Sequence, residues 1–122
     1  MRLFNRRALG ERYESFASNY LAGKGLKPIE SNFNTKMGEL DLIMKEQSTL
    51  VFVEVKYRKQ SHYGHAAEMV TPAKQRRLVK AAMIWLSKNN LSPYDTDFRF
   101  DVVAIHDEGR QVEWIKNAIT QG

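Results

Sequence analysis

Two neighbouring apolar stretches of this chain carry acidic residues where a β-strand would normally bury hydrocarbon. The first reads Gly-Glu-Leu-Asp-Leu-Ile at 38–43, and the second reads Leu-Val-Phe-Val-Glu-Val-Lys at 50–56. Because side chains alternate between the faces of a strand, Glu39 and Asp41 share one face of the first. In the second, Glu54 and Lys56 share a face for the same reason. Buried charges are costly unless they are paired or bind a metal, so the two runs predict a site.

If the two strands pair as a hairpin, their carboxylates lie close enough to bind one ion. Carboxylate oxygens are hard ligands that suit Mg²⁺ or Mn²⁺. Such a metal suits phosphodiester hydrolysis, because it neutralises a phosphate oxygen and lowers the pKa of bound water. The ammonium of Lys56 could orient that water or stabilise developing charge. On the residues alone, a solvated hairpin face without metal is the commoner origin of such a pattern.

The composition is that of one basic globular domain. The 122 residues suffice for a single core, and we take 1–122 as one domain with its core at about 8–116. Nineteen Lys and Arg against fourteen Asp and Glu give a net charge of +5, which favours an anionic partner such as nucleic acid. The absence of cysteine excludes disulfides, thiolate zinc sites and a cysteine nucleophile.

Neither a signal peptide nor a membrane span is evident in the sequence. The first seven residues are basic but lack the apolar segment of a signal peptide. No stretch approaches the roughly 20 apolar residues that cross a bilayer. We therefore expect a cytoplasmic protein without a membrane partner.

Apolar periodicity and turn residues predict the order α-β-β-β-α-β-β. Thr71 followed by Pro72 is typical of an N-cap and a first helical residue. The predicted helices and strands lie, in chain order, at 6–23, 29–33, 39–44, 49–57, 72–90, 98–106 and 112–115. The expected fold class is α/β, with a mixed β-sheet flanked by helices.

Asp41, followed by Glu54-Val55-Lys56 on the next strand, is similar to the PD-(D/E)xK signature of restriction-endonuclease-like nucleases. More closely, the chain from about 8 to 106 resembles the YraN family of bacterial endonuclease-like proteins, which is likened to archaeal Holliday junction resolvases. The two acidic runs carry this resemblance, with further matches at Gly10, Glu14, Tyr63-Gly64, Lys74 and 99–103. It implies a restriction-endonuclease-like sandwich.

This resemblance also implies roles for the central residues. Asp41 and Glu54 would bind Mg²⁺ or Mn²⁺, with the backbone carbonyl of Val55 as a third ligand. Lys56 would be the catalytic lysine. Leu40 stands where the broad signature has proline, which removes no ligand.

Two further acids are weaker candidates. Glu14 lies on the edge of the apolar face of the first helix and matches an auxiliary acid of the resolvases. Tyr13 beside it stands where the YraN family usually has glycine. Glu39 has no equivalent in the broad signature, and its place on the strand allows a supporting or second-metal role.

Basic residues near the predicted site are candidates for phosphate contacts. Lys74 and Arg77 lie at the start of the second helix, and Arg58 and Lys59 follow the predicted third strand. Such runs are commonly just solvated, but their position allows them equally to bind backbone phosphates. No sequence-reading motif is present, so specificity would concern nucleic-acid shape, with DNA favoured and RNA not excluded. The likeness to dimeric resolvases also allows a homodimer.

Three functions follow from these observations. A metal-dependent endonuclease acting on DNA, including branched or structured DNA, is the leading hypothesis. The alternative is a catalytically idle nucleic-acid-binding module of the same fold in a repair or recombination assembly. A protein-interaction subunit ranks last, because the acids and the lysine are all present.

Arg99 and Asp101 are expected to pair as structural support, and Trp85 and Trp114 are expected to be core or packing residues.

Overall fold

A computed structural model describes residues 6–58 and 70–119, with side chains described for 8–57 and 70–119. These residues form two α-helices and five β-strands. In chain order they are α1 (Arg6–Gly23), β1 (Lys27–Asn34), β2 (Glu39–Glu46), β3 (Thr49–Arg58), α2 (Pro72–Lys88), β4 (Phe98–His106) and β5 (Gln111–Ile115). The predicted element order and α/β class are confirmed.

The strands form one mixed sheet in the order β1-β2-β3-β4-β5. β3 and β4 pair in parallel, and the other neighbours pair antiparallel. A parallel pair needs a long crossover connection, and α2 lies within it. The central strand β3 therefore belongs both to an antiparallel hairpin with β2 and to a parallel pair with β4.

One helix packs on each face of the sheet, as alternation along β3 shows. Leu50 and Phe52 belong to a buried cluster with α2, whereas Val51 and Val53 belong to a cluster with α1. Because both faces are covered, β3 reads as a continuous apolar run. Glu54 continues the Leu50–Phe52 series and is only 4 % exposed. A buried carboxylate thus stands at the end of an apolar strand face.

The start of α2 is fixed by its cap. The Thr71 hydroxyl accepts a hydrogen bond of 3.2 Å from the backbone amide of Lys74, and Pro72 occupies the first turn. The predicted N-terminus is confirmed, while the helix ends at Lys88, slightly before the predicted end. Neither described helix combines the length and apolar character needed to cross a membrane.

Asp101 anchors the far side of the sheet. It is fully buried and accepts hydrogen bonds from Arg99 Nε at 3.0 Å, Trp114 Nε1 at 2.9 Å and the Asn117 backbone amide at 2.8 Å. The expected pairing with Arg99 is confirmed. Trp85 is also buried, and its indole nitrogen donates to Glu30 at 2.9 Å. These contacts support the sheet, and they lie outside the cavity that holds the predicted acids.

Candidate functional site

β2 and β3 separate at the point where the predicted acids lie. Among the described residues their ladder ends at Leu42↔Val53, although β3 stays paired with β4 as far as Arg58. Asp41 and Glu54 are the next residues beyond the last pair. Oδ2 of Asp41 accepts a hydrogen bond of 2.9 Å from the backbone amide of Val55. The opening strands therefore place both acids at the mouth of a wedge.

An irregularity in β1 accompanies this opening. Asn32, opposite Asp41 in the β1–β2 register, has a φ of 56°. Asparagine tolerates this left-handed region better than most residues. On β2, Leu40 packs in the α2-side cluster and Leu42 in the α1-side cluster, so strict alternation breaks at Asp41. Simple alternation was therefore an incomplete basis for pairing Asp41 with Glu39, although both line the same cavity.

A cavity of about 400 Å³ occupies the wedge. Strands β2 and β3 form its floor, with α1 on one side and the first turn of α2 on the other. Its charged lining consists of Glu14, Glu39, Asp41, Glu54, Lys56 and Lys74. Val55 lines the same space. The structure therefore brings together every residue that the sequence nominated for metal binding or catalysis.

Glu54 is the electrostatic centre of this cavity. Its Oε2 lies 3.3 Å from Nζ of Lys56 and 3.2 Å from Nζ of Lys74. Burial acts to lower the pKa of Lys74, but the charge of Glu54 and its hydrogen bond outweigh burial, so the net shift is upward. Lys74 therefore stays protonated, and the buried Glu54 carboxylate is flanked by ammonium groups from two different elements.

Asp41 has a strongly altered proton affinity. Burial, followed by the charge of Glu54, raises the pKa of Asp41 to about 8, although the hydrogen bond from Val55 acts in the opposite direction. Without a bound metal ion, Asp41 is therefore mostly protonated at neutral pH. A divalent cation between the two carboxylates would counteract their mutual repulsion.

Glu14 reaches the cavity from α1. Burial raises its pKa above the ordinary glutamate value, a hydrogen bond with Asn32 lowers it, and the charge of Glu39 raises it further. Within the described residues, Oε1 of Glu14 is buried without a hydrogen-bond partner. An unpaired buried carboxylate oxygen is costly, and it is chemically suited to a cation or a proton donor.

The donor set suits a hard cation held partly by water. No three His, Cys, Asp or Glu side chains in the described ranges already surround one point. Mg²⁺, however, commonly keeps several waters and takes only one or two protein carboxylates, with substrate phosphate completing its shell. Asp41, Glu54 and the Val55 carbonyl fit that requirement, with Glu39 nearby.

A second cavity of about 300 Å³ adjoins the first and shares Glu39 and Lys74 with it. The turn between β1 and β2 and the start of α2 form its walls, which include Lys36 and Arg77. Both side chains are exposed, and no ion pair within the described part of the chain uses either. Arg77 was predicted from the sequence, but Lys36 was not. Lys36 lies in the turn between β1 and β2, and only the folded structure shows that this turn packs near α2.

Gly38 sets the distance between that turn and α2. A Cβ atom at this position would lie 2.5 Å from the backbone oxygen of Arg77, closer than real Cβ contacts. Only glycine therefore permits the observed approach. The close packing holds the β1–β2 turn against α2, so that Lys36, Arg77 and Lys74 border one space.

Some predicted residues cannot be placed in this arrangement. Arg58 is the last residue of β3, and its side chain is not described. Lys59 and the Tyr63-Gly64 pair lie outside the described residues. The phosphate contacts suggested for Arg58 and Lys59 therefore stay predictions.

Comparison with known sequences places the chain in a family. The model of "Uncharacterised protein family UPF0102" matches residues 13–105. The chain belongs to the UPF0102 family. The matched segment includes the acids at 14, 39, 41 and 54 and the lysines at 56 and 74.

UPF0102 proteins from several Vibrio species are similar over nearly the whole chain. One from Vibrio vulnificus (strain YJ016) is 60% identical over 122 residues, which is 100% of both chains. One from Vibrio campbellii is 57% identical over 122 residues, again 100% of both. One from Vibrio cholerae (El Tor Inaba N16961) is 51% identical over 118 residues, or 97% of each chain. None of these names states an activity, and the YraN and PD-(D/E)xK relationships stay predictions.

Proposed function

We propose that this UPF0102 protein is a divalent-metal-dependent nuclease of restriction-endonuclease-like fold that hydrolyses phosphodiester bonds in DNA, including branched or structured DNA. The observation that supports this most is the convergence of Asp41, Glu54 and Lys56 in one cavity where β2 and β3 separate. The mixed sheet, with a hairpin leading into a parallel pair and one helix on each face, agrees with such a fold.

Asp41 and Glu54, with the backbone carbonyl of Val55, would hold Mg²⁺ or Mn²⁺, and Glu39 is a further donor at the cavity edge. A bound ion would neutralise a phosphate oxygen and lower the pKa of a water molecule. Burial and the charge of Glu54 raise the pKa of Asp41 to about 8, so at neutral pH Asp41 must lose a proton before it can bind a metal ion. Metal binding should therefore release protons.

The two lysines take complementary roles in this proposal. Lys56 is held by β3 on the same face as Glu54, with its ammonium 3.3 Å from that carboxylate. We assign it to orient the attacking water and stabilise charge on the phosphate in the transition state. Lys74 is fixed by the cap of α2 and lies on the side of the second cavity, so it would hold a phosphate oxygen.

Glu14, on the α1 side of the cavity, would donate or accept a proton. Its raised pKa means that it keeps a proton to higher pH than an ordinary glutamate, and it borders the same cavity as Lys56. It is therefore suited to exchange a proton with water or with the leaving group.

Lys36 and Arg77 would bind the phosphate next to the scissile one. Their cavity adjoins the acidic one, and both side chains are exposed and free of ion pairs among the described residues. Contacts of this kind position a nucleic acid without reading its bases. DNA is the favoured substrate, and the experiment below also includes RNA. Cutting a four-way junction symmetrically would require two sites, which a homodimer would supply.

A cleavage panel tests the proposal. Supercoiled, linear and single-stranded DNA, a four-way junction and structured RNA would be incubated with Mg²⁺, with Mn²⁺ or with chelator. Wild type would be compared with Glu54→Gln/Lys56→Met and with the control Glu11→Gln/Lys45→Met, whose residues are exposed and outside the cavity. We expect metal-dependent cutting that falls at least about 100-fold in the site variant only. Cutting that survives in the site variant would mean a different site or a contaminant.

The second candidate is a nucleic-acid-binding module without turnover. It is favoured by the present pairing of Glu54 with two lysines and by the absence of a pre-built three-ligand set among the described residues. This function predicts salt-sensitive binding without cleavage. Removing Asp41 or Glu54 would then leave affinity intact or raise it, because a negative charge is lost. Failure to bind either metal or nucleic acid at low salt would instead favour an interaction subunit.

A further inference from the structure

A third cavity, of about 720 Å³, continues from the acidic one on the α1 side of the sheet. The two share the walls formed by Leu9, Tyr13 and Tyr57. The turn after β4 closes the far side through Glu108 and Gly109. A ligand in the acidic cavity could therefore extend past these three shared residues into the third cavity.

Three aromatic side chains, those of Tyr13, Phe16 and Tyr57, line this third cavity. Tyr13 and Tyr57 stack with their ring centroids 4.0 Å apart and their planes 18° apart. Phe16 borders the same space and is 39 % exposed, so its ring is accessible from the cavity. Arg12 adds a guanidinium at the rim. Aromatic faces with a neighbouring arginine are the surfaces on which unpaired bases stack.

The order of residues along β3 matches the two halves of a nucleotide. Lys56 faces the acidic cavity beside Glu54, and Tyr57, the next residue, stacks with α1. Adjacent residues point to opposite faces of β3, but Lys56 and Tyr57 both line the cavity where β2 and β3 separate. That cavity therefore offers an ammonium for a phosphate and an aromatic ring for a base. A paired base inside a duplex has no free face to offer such a ring, whereas an unpaired base has.

We infer that the cavity lined by Arg12, Tyr13, Phe16 and Tyr57 is a subsite for one unpaired nucleobase next to the scissile phosphate. The inference rests on the proposed function and narrows its substrate to DNA with unpaired bases at the cleavage point, as in single strands, frayed ends and branches. Stacking is tolerant of base identity, so the subsite selects for the unpaired state and not for sequence.

The test measures binding in chelator, so that it does not depend on cleavage. A fluorescein-labelled single-stranded oligonucleotide and the matching blunt duplex would be titrated by anisotropy with wild type, Tyr57→Leu and Phe16→Leu. The control is Tyr94→Leu, since Tyr94 is 95 % exposed and lies outside all three cavities. Tyr57→Leu should weaken single-strand binding about tenfold and duplex binding less than about twofold, with no change in the control. Phe16→Leu should act in the same direction, and its exposed position preserves the fold.

A second titration isolates the base itself. Oligonucleotides carrying one abasic position keep every phosphate, and their loss of affinity for wild type should disappear in Tyr57→Leu because the two changes remove the same contact. Equal losses on single strand and duplex, or additive effects of the abasic position and Tyr57→Leu, would overturn the subsite while leaving the nuclease proposal standing. Failure of wild type to bind any nucleic acid at low salt would overturn both.

Discussion

The Asp41 carboxylate accepts a hydrogen bond of 2.9 Å from the backbone amide of Val55, at the point where β2 and β3 stop pairing. A side chain here takes the place that a backbone carbonyl would hold in a continued ladder. The amide of Val55 therefore keeps a hydrogen-bond partner although the strands open. Burial, followed by the charge of the neighbouring Glu54, raises the pKa of Asp41 to about 8, while the hydrogen bond from Val55 acts in the opposite direction.

The raised pKa of Asp41 predicts an unusual dependence of stability on pH. Between the ordinary value of 3.8 and about 8, the folded protein holds one proton more at Asp41 than the unfolded chain. Stability therefore falls as pH rises through this window, by at most about 1.4 kcal/mol per unit. Asp41→Asn keeps a hydrogen-bond acceptor and removes the titration. In chelator, the variant should gain stability over wild type from pH 5 to 8.

Urea unfolding at several pH values measures this gap. The matched control is Asp95→Asn, because Asp95 is exposed and lies outside the cavity, so its difference from wild type should not vary over the same range. A gap between Asp41→Asn and wild type that is constant with pH, or that narrows as pH rises, would contradict the assignment of the proton to Asp41.

Much of this fold could be predicted because its strands and the start of α2 have clear local sequence signals. β3 is buried on both faces, so residues 50–53 form a continuous apolar run. The predicted bounds of β4, 98–106, are also confirmed. The start of α2 followed from Thr71 and Pro72, whose cap chemistry is local. The acids stood out because Glu54 interrupts an apolar strand. Local chemistry and strand period together sufficed for these elements.

Other features depend on contacts between distant segments and could not be predicted. The left-handed Asn32 and the break in alternation at Asp41 arise where three strands meet, and period-two reasoning passes over them. Lys36 sits in a polar turn with no sign of its proximity to α2 until Gly38 packs on Arg77. Tyr13 stacks on Tyr57, and its position in the sequence gives no sign of that contact.

Gly38→Ala should destabilise the protein and disturb the second cavity, called the basic cavity below because Lys36, Lys74 and Arg77 line it. The added Cβ would lie 2.5 Å from the backbone oxygen of Arg77, and backbone cannot move aside as a flexible side chain can. The start of α2 must shift, which we expect to cost about 1–3 kcal/mol, as overpacking does elsewhere. Gly23→Ala is the control, since a Cβ there meets nothing within 4 Å. Equal urea midpoints for the two variants would contradict the close approach.

Asp101→Ala should be the most damaging of these substitutions for stability. It leaves Arg99, Trp114 and the Asn117 amide without their buried acceptor. Arg99 keeps its 2.8 Å ion pair with Glu46 and is partly exposed, so we expect a loss of about 3 kcal/mol, at the lower end for a broken buried pair. Urea unfolding gives the loss, and a red shift of tryptophan fluorescence would show that β5 loosens. A loss as small as that of an exposed aspartate would contradict the anchoring role.

The basic cavity predicts a specific change in the salt dependence of nucleic-acid binding. Each lysine or arginine that contacts a phosphate releases counterions, so removing it lowers the slope of log affinity against log salt by about 0.7–0.9. Lys36→Ala and Arg77→Ala should each show this change in chelator, on single strands and duplexes alike, because phosphates are common to both. Lys80→Ala is the matched control, since Lys80 is exposed on the same helix but outside the cavity. Should Lys80→Ala change the slope as much as Arg77→Ala does, binding would follow overall charge, and the cavity would not be the phosphate site.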